Sequence, residues 1–266
     1  MRLAADALAE RLRALARIRA YWRDARTALA ATGGIRPAMV GRCSLLRPAG
    51  SRRAFAVVRA DLDAVRDAAH RNGCTVNDAL LAAVTGALRE LLGRRGEHVE
   101  TLSVSVPVSA RSTTTSGELG NRLGVLIAAL PVEGDAGRRM RATPPCSPSA
   151  RRRRRRRPPP ARSARCSGCW PSSASAAGTC AASAASTLVS NVRGPDRQLT
   201  FAGAAVTGII AVAVAESGNV SVSFEILSCS GTVVITLIAD PDAVPDLDGL
   251  AALLWEELAD VTATGA

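Results

Sequence analysis

The sequence predicts an α/β fold, in which a mixed β-sheet is flanked by helices. Short apolar runs rich in β-branched residues, such as residues 102–108 and 123–132, are typical of strands. Longer segments, such as residues 79–92, place their apolar residues at helical spacing. At 266 residues, the chain is also long enough to bury a substantial core in one or two domains.

The first segment, residues 3–30, is predicted to form a long amphipathic helix. Leu8, Leu12, Leu15 and Trp22 share one helical stripe, opposite a face of arginines. Such a helix can pack its apolar face on a neighbouring domain or rest on an anionic membrane, and we favour packing.

Neither a secretory signal nor a membrane span is predicted. Charged residues at nearly every turn of the first segment leave no apolar core for a signal peptide. The longest apolar stretch, residues 201–215, is too short to cross a bilayer. We therefore expect a cytoplasmic protein whose seven cysteines are reduced thiols.

The next elements are a strand and two helices in close succession. Residues 54–59 are predicted to form a strand, and residues 62–72 a helix that ends at Gly73. Thr75 is a suitable N-cap, and Asp78, three residues later, can complete a capping box. A second helix is therefore expected to begin directly after Thr75.

The C-terminal part of the chain is predicted to be β-rich and to end in a helix. Residues 205–214, 220–228 and 232–239 are β-rich runs separated by turn sequences, which indicates an antiparallel meander. The last apolar repeat at helical spacing extends to Leu258 and begins at Asp246, which suits a helix start.

Residues 142–186 differ from the rest of the chain. They contain no Leu, Ile, Val, Phe or Tyr and hold most of a cluster of ten arginines with no acidic residue, so the remainder of this +11 chain is nearly neutral. Such a segment cannot bury a core. It is either a disordered basic linker or DNA translated in the wrong frame, and we favour the frame error because every one of the 34 basic residues is Arg, which suggests GC-rich coding.

Two features of this segment suggest ligands that we do not expect it to bind. The run of arginines 151–157 could attract phosphates, but it lacks the interleaved aromatic residues of single-strand binders. Cys166 and Cys169 have the spacing of a zinc knuckle, but neither a second cysteine pair nor a suitably spaced histidine accompanies them. We predict neither a nucleic-acid partner nor a metal site.

Three polar motifs stand out among the regular elements. Asn77 and Asp78 lie at the predicted start of the second helix, where free N–H groups and the helix dipole can orient a carbonyl or stabilise negative charge. Capping by Thr75 and Asp78 would also explain this pair, although capping requires no Asn at position 77. The other motifs, residues 120–122 (Gly-Asn-Arg) and 190–195 (Ser-Asn-Val-Arg-Gly-Pro), are also ordinary turn sequences.

Together, and in this order, the three motifs resemble the C-terminal half of bacterial wax ester synthase/diacylglycerol acyltransferases. Arg193 stands where that family usually has a proline. The resemblance implies a chloramphenicol-acetyltransferase-like lobe and places the motif residues in the cleft between two such lobes. The implied cleft or active-site support residues are Asn77, Asp78, Gly120, Asn121, Arg122, Ser190, Asn191, Gly194 and Pro195.

The catalytic base implied by the resemblance has no counterpart here. In that family the base is the second histidine of an HHxxxDG motif in the N-terminal half, and this motif does not occur in the sequence. The two histidines, His70 and His98, are isolated, and neither is followed by Asp-Gly. We therefore assign no catalytic residue.

These observations predict a truncated O-acyltransferase that is inactive alone. Residues 1–32 would link to a missing N-terminal lobe, residues 33–141 and 187–266 would form the C-terminal lobe, and residues 142–186 would be the aberrant segment. By resemblance, the reaction transfers an acyl group from acyl-CoA, as substrate, to diacylglycerol or a long-chain alcohol, with no cofactor. The alternative is a non-catalytic lobe that binds lipid or a partner. Peripheral contact with a membrane or a lipid droplet is compatible with either function.

Overall fold

The computed structural model describes residues 43–109, 123–143, 185–212 and 220–264 of the chain. The predicted helix over residues 3–30, the Gly-Asn-Arg motif at 120–122 and nearly all of the 142–186 segment lie outside the described residues. The proposed division into domains therefore stays a prediction.

The described residues form a mixed six-stranded sheet with helices against it, which confirms the predicted α/β class. The sheet order is β1-β8-β7-β4-β2-β3. Strand β4 runs parallel to both of its neighbours, and the other pairs are antiparallel. The strands are β1 (Ala54–Asp61), β2 (Thr101–Ser109), β3 (Leu123–Pro131), β4 (Thr187–Arg193), β5 (Thr200–Phe201), β6 (Ala204–Ala205), β7 (Val222–Cys229) and β8 (Thr232–Ala239). The helices are α1 (Leu62–Arg71), α2 (Val76–Arg94), α3 (Ala136–Ala142) and α4 (Leu247–Ala263).

The helix starts agree with the local capping signals. The side chain of Asp61 accepts a hydrogen bond from the N–H of Ala64 at the start of α1, and that of Asp246 accepts one from Gly249 in α4. Gly73 follows α1 with a φ of 65°, a left-handed conformation that glycine adopts without strain. These local interactions confirm the predicted boundaries to within a few residues, except that α4 continues beyond Leu258.

The β7–β8 hairpin was also predictable from local sequence. Ser230 and Gly231 form its two-residue loop, and both have positive φ, 48° and 81°. Two such residues are the mark of a type I′ turn, whose twist matches that of the flanking strands.

The core lies between the helices and one face of the sheet. Helix α2 is buried along most of its length and packs on α4, and together they cover strand residues such as Val104, Val189 and Phe224. Alternate strand residues point to the opposite face of the sheet. The core face is almost wholly apolar, as a buried layer requires.

The predicted three-stranded meander is wrong in its first strand. Residues 205–212 do not join the main sheet: only a short hairpin, β5–β6, forms next to them, and Ile210 and Val212 are exposed. Strand β7 already pairs with β4 on one edge and with β8 on the other. No edge of β7 is therefore left for a further strand, whatever the β propensity of the segment.

Helix α3 was not expected from the sequence, and a buried ion pair attaches it to the other helices. A guanidinium N–H of Arg139 donates to Glu257 of α4, and its Nε donates to the carbonyl oxygen of Ala82 in α2, 3.2 Å away. Both charged side chains are almost fully buried. Gly86 leaves the room for Glu257, because a Cβ there would lie 2.3 Å from the carboxylate carbon.

Candidate functional site

The Asn77-Asp78 motif lies at the first turn of α2, as predicted. The backbone N–H of Thr75 donates to Asp78 Oδ2 at 2.9 Å, and the N–H of Asp78 donates to Thr75 Oγ1 at 3.2 Å. Asp78 is 2% exposed. This reciprocal capping box accounts for Asp78 as a helix cap. It does not involve the side chain of Asn77.

Asn77 instead contacts the second predicted motif. The Asn191 Nδ2 group donates to Asn77 Oδ1 at 3.2 Å, across 114 positions of sequence. Asn191 lies on the helix-facing side of β4, in the same column as the buried Val189, which directs its side chain to the start of α2. Both amides are half-buried. Within the described residues, the Nδ2 group of Asn77 donates to no protein acceptor.

Ser190 points to the other face of the sheet. Side chains alternate along a strand, so the neighbour of Asn191 faces away from the helices. Ser190 is half-buried and is paired in register with Glu225 of β7. Ser190 and Asn191 therefore lie on opposite faces of the sheet, although they are adjacent in sequence.

The Gly194-Pro195 part of the motif is fixed against the end of the β7–β8 hairpin. The N–H of Gly194 donates to the carbonyl oxygen of Ser228 at 2.7 Å, and the N–H of Ser230 donates to that of Pro195 at 3.1 Å. A Cβ on Gly194 would lie 2.7 Å from the same Ser228 oxygen, so only glycine allows this approach. The structure thus holds the loop after β4 in one place.

The described site residues therefore converge on one end of the sheet. Asn77, Asp78, Asn191, Gly194 and Pro195 lie where β4 ends and α2 begins, whereas Ser190 faces the opposite side. Gly120, Asn121 and Arg122 lie outside the described residues. The half-buried Asn77 side chain can donate from its Nδ2 group to a carbonyl oxygen, and the N–H groups of the first turn of α2 add positive potential.

The two histidines take no part in this arrangement. His70 is exposed on α1, and His98 is exposed after α2, at the opposite end of that helix from Asn77. Within the described residues, no group of three or more His, Cys, Asp or Glu side chains is placed to hold a metal ion.

Within the described residues, the side chains whose pKa departs from its ordinary value lie away from this end of the sheet. Burial raises the pKa of Glu257 and lowers that of Arg139, and the opposite charge of each partner acts against these shifts. The pKa of Asp240 is lowered by backbone N–H groups of Gly50 and Asp242, which donate to its carboxylate at 2.7 and 2.9 Å. The Asp240 carboxylate thereby attaches the connection after β8 to the segment before β1.

Two family models match the chain. The WS/DGAT C-terminal domain matches residues 119–262, and the wax ester synthase/diacylglycerol acyltransferase catalytic domain matches residues 2–80. A protein of Mycobacterium tuberculosis strain H37Rv, named probable diacylglycerol O-acyltransferase, is 33% identical over 92 residues, which are 34% of this chain and 20% of the relative.

Solved structures show the same fold. The wax ester synthase/diacylglycerol acyltransferase from Marinobacter aquaeolei VT8 aligns with a TM-score of 0.63 and 23% identity, covering 89% of this chain and 55% of that one. A condensation domain of the enacyloxin polyketide synthase aligns with a TM-score of 0.53 and 13% identity, over 84% of this chain and 43% of that one. The predicted chloramphenicol-acetyltransferase-like lobe is thereby confirmed. The chain spans about half the length of the Marinobacter protein.

No helix among the described residues is both long and apolar enough to cross a membrane.

Proposed function

The chain belongs to the wax ester synthase/diacylglycerol acyltransferase family, and on this premise we propose that it supplies one wall of an O-acyltransferase active site. The reaction would move an acyl group from acyl-CoA to the hydroxyl of diacylglycerol or a long-chain alcohol. The observation that carries the proposal is the hydrogen bond between Asn191 and Asn77, which joins two family motifs at one end of the sheet.

Acyl transfer from a thioester requires a base for the acceptor hydroxyl and hydrogen-bond donors for the oxyanion that forms when the hydroxyl oxygen attacks. This chain offers the donors. The Asn191 amide holds Asn77 Oδ1, which leaves the Asn77 Nδ2 group to point elsewhere, beside the N-terminus of a 19-residue helix. We assign Asn77 the role of donor to the acyl carbonyl oxygen, and Asn191 and Asp78 the role of positioning it.

We assign the base to a histidine on a separate lobe. The sequence contains no HHxxxDG motif, and both of its histidines are exposed, His70 on α1 and His98 beyond the far end of α2. A lobe carrying that motif would have to dock where β4 ends and α2 begins. Without a positioned base, the rate falls by about 10²–10⁴-fold.

A second candidate function is binding without catalysis, and exposed apolar side chains favour it. Val192 is 55% exposed beside the site, Phe201 is 79% exposed on the β5–β6 hairpin, and Val212 is 58% exposed. Exposed apolar side chains mark a docking site for lipid or protein when they join into one patch, and the binding function requires these three to do so. Such a lobe could act in the cytoplasm, in peripheral contact with membranes or lipid inclusions.

A measurement of acyl transfer by a reconstituted pair of chains distinguishes the catalytic function from binding alone. The chain is mixed with an HHxxxDG-bearing lobe of a family member, and transfer of a labelled acyl group from palmitoyl-CoA to dioctanoylglycerol or hexadecanol is measured. We expect transfer by the mixture, little by either chain alone, and a loss of about 10²–10³-fold with Asn77→Ala, as for the removal of an oxyanion donor. A mixture that forms a complex but transfers no acyl group would support the binding function instead.

None of the asparagines that the structure describes is exposed, so none can serve as a surface control for Asn77→Ala. Arg89→Gln is used as the control instead. Arg89 lies near the far end of α2, where it forms a half-exposed ion pair with Glu90 and a longer one, at 3.8 Å, with Glu257. Its loss should leave acyl transfer unchanged. Equal effects of Asn77→Ala and Arg89→Gln would remove the reason for placing the site at Asn77.

A further inference from the structure

The sheet face turned away from the helices, which we call the outer face, is buried at its centre. The register Ser105–Leu188–Ser223–Ile238 crosses four adjacent strands on this face. Ser105, Ser223 and Ile238 are no more than 6% exposed. Thr236, the outer-face neighbour of Ile238 along β8, is fully buried. A layer of protein therefore covers this part of the sheet.

The four described helices do not form this layer. Each contributes residues to one apolar cluster, which also contains Phe224 and Ile235 of the helix-facing side. Val234 and Ile238 are buried as well, but they alternate with Ile235 along β8 and lie outside that cluster. The helices pack on the opposite face, so another part of the chain must cover the outer one.

The segment before β1 reaches only one end of the outer face. The carbonyl oxygen of Leu45 accepts a hydrogen bond from Ser221 Oγ at 2.8 Å, just before β7. The N–H of Gly50 donates to Asp240 Oδ2 at 2.7 Å, just after β8. Thr236 lies four residues further into the sheet than Asp240, or about 13 Å away. These contacts therefore do not explain the burial at the centre.

The described residues between β4 and β7 do not form the layer either. Phe201 on the β5–β6 hairpin is 79% exposed, and Ile210 and Val212, which follow it, are 46% and 58% exposed. A covering layer buries its own apolar side chains, whereas these remain in solvent. The cover must belong to a part of the chain outside the described residues.

One such part combines sufficient length with an apolar stripe. Apart from the last two residues, the stretches outside the description are residues 1–42, 110–122, 144–184 and 213–219. The third contains no Leu, Ile, Val, Phe or Tyr, the second is mainly polar, and the fourth is too short to cross a sheet. Within the first, Leu8, Leu12, Leu15 and Trp22 form the predicted apolar stripe of a helix over residues 3–30.

The length and attachment of this segment fit the outer face. A helix over residues 3–30 would be about 42 Å long, whereas the six strands span about 24 Å. Residues 31–42 lead from its end to Cys43, and an extended chain of that length spans up to about 40 Å. Cys43 lies two residues before Leu45, at the end of the sheet where Ile238 is buried.

We infer that residues 3–30 pack their apolar stripe on the outer face, so that the sheet lies between two helical layers. Ser105 and Ser223 have small side chains and allow a helix to approach closely. Val234 and Ile238 provide apolar contact for the leucines of the stripe. The face of arginines opposite the stripe stays in water.

A stripe packed on the outer face is not available to an anionic membrane. Peripheral contact with a membrane or a lipid inclusion then requires another surface of the chain. The inference concerns the architecture of the lobe and does not depend on the acyl-transfer function proposed above.

Limited proteolysis of the whole chain tests the packing. Trypsin cleaves after Arg11, Arg13 and Arg17, and mass spectrometry gives the rate of cleavage at these sites. We expect slow cleavage in wild type. Leu12→Asp in the stripe and Ile238→Ala on the sheet should each raise the rate by about 10-fold or more, because loss of one buried apolar contact shifts the opening equilibrium by that factor.

Each variant has a matched control. Ala20→Asp introduces the same charge on the arginine face of the predicted helix and should leave the cleavage rate unchanged. Ile235→Ala makes the same change as Ile238→Ala on the same strand, but on the helix-facing side. It should lower the melting temperature without exposing the arginines of residues 3–30 under native conditions.

Flotation with phosphatidylglycerol vesicles measures membrane contact directly, and wild type should remain unbound. The inference is overturned if wild type floats and Leu12→Asp does not, since the stripe would then bind lipid. It is also overturned if wild type is cleaved as fast as Leu12→Asp, or if Ile238→Ala and Ile235→Ala have equal effects. Protection that disappears on dilution would assign the stripe to a second copy of the chain instead. Absence of acyl transfer by the reconstituted pair would contradict the proposed function alone.

Discussion

Replacement of Gly194 by alanine tests the closest backbone contact of the candidate site. The added Cβ would lie 2.7 Å from the carbonyl oxygen of Ser228, about 0.7 Å inside the 3.4 Å at which ordinary contacts begin. The same oxygen accepts the N–H of Gly194 at 2.7 Å. Because the obstacle is a backbone atom, no side-chain rotation relieves the clash, and the loop must move away from β7.

The expected loss of stability follows from three contributions. Overpacking costs about 1–3 kcal/mol. Stretching or breaking the hydrogen bond costs about 0.5–1.5 kcal/mol. Alanine restricts the unfolded chain more than glycine does, which offsets about 0.4–1 kcal/mol of the lost stability. We expect Gly194→Ala to lower the free energy of unfolding by about 2 kcal/mol, or the melting temperature by about 4–8 °C.

Urea unfolding followed by circular dichroism measures this change. The matched control is Gly93→Ala, the same chemical change in α2, where a Cβ would meet nothing within 4 Å. Alanine in a helix is favoured over glycine by up to about 1 kcal/mol, so the control should be neutral or stabilised. If Gly194→Ala unfolds at the urea midpoint of wild type or of Gly93→Ala, the close approach inferred for this loop is wrong.

Three further predictions concern contacts made across the fold. Asn191→Ala removes the hydrogen bond to the Asn77 side chain and should lower the free energy of unfolding by about 1 kcal/mol in urea, and kcat of the reconstituted pair by about 10-fold with KM little changed. Asp240→Asn should destabilise the fold at pH 7, since the pKa of Asp240 is lowered in the folded state. The stability from this depressed pKa is present above the ordinary value of 3.8 and is lost as the pH falls through the lower folded value, so the difference between variant and wild type, measured by thermal unfolding, should shrink in acid. Arg139→Met leaves the buried Glu257 with only Arg89, 3.8 Å away, as an ion-pair partner and should cost about 3 kcal/mol in urea unfolding, most of which the double variant with Glu257→Leu should recover.

Each of these has an outcome that would contradict it. Unchanged turnover with Asn191→Ala would show that the amide contact does not position a functional group. If the difference in stability between Asp240→Asn and wild type stays constant down to pH 3, the Asp240 carboxylate does not form charge-dependent hydrogen bonds with Gly50 and Asp242. If the double variant of the ion pair is no more stable than Arg139→Met, the cost does not come from an unpaired carboxylate.

Much of the fold was predictable because its signals are local. The Thr75–Asp78 capping box depends on residues three apart, and the Ser230–Gly231 turn depends on two adjacent residues. Both were confirmed in place. Helix α3 also begins with a local signal, the side chain of Asp135 capping Arg138, but its few apolar residues gave no clear periodicity. The role of the buried Arg139, which attaches α3 to Glu257, is seen only in the structure, where the two side chains meet.

The candidate site was predictable in its motifs but not in its geometry. Resemblance to a family singled out Asn77 and Asn191, but it did not show that their side chains touch. It grouped Ser190 with Asn191, whereas the pleat of β4 sends them to opposite faces.

The α/β class, the helix starts, the β7–β8 hairpin and the family can be predicted from sequence, because they depend on residues a few positions apart or on the order of motifs. Strand pairing, the sheet face that each polar residue occupies and the contacts between distant groups are seen only in the folded chain. Residues 205–212 show the reason: their sequence favours a strand, but β4 and β8 already occupy both edges of β7. Whether the edge of a strand is free to pair, and whether buried side chains fit one another, depends on the whole folded chain. No local sequence pattern therefore specifies either.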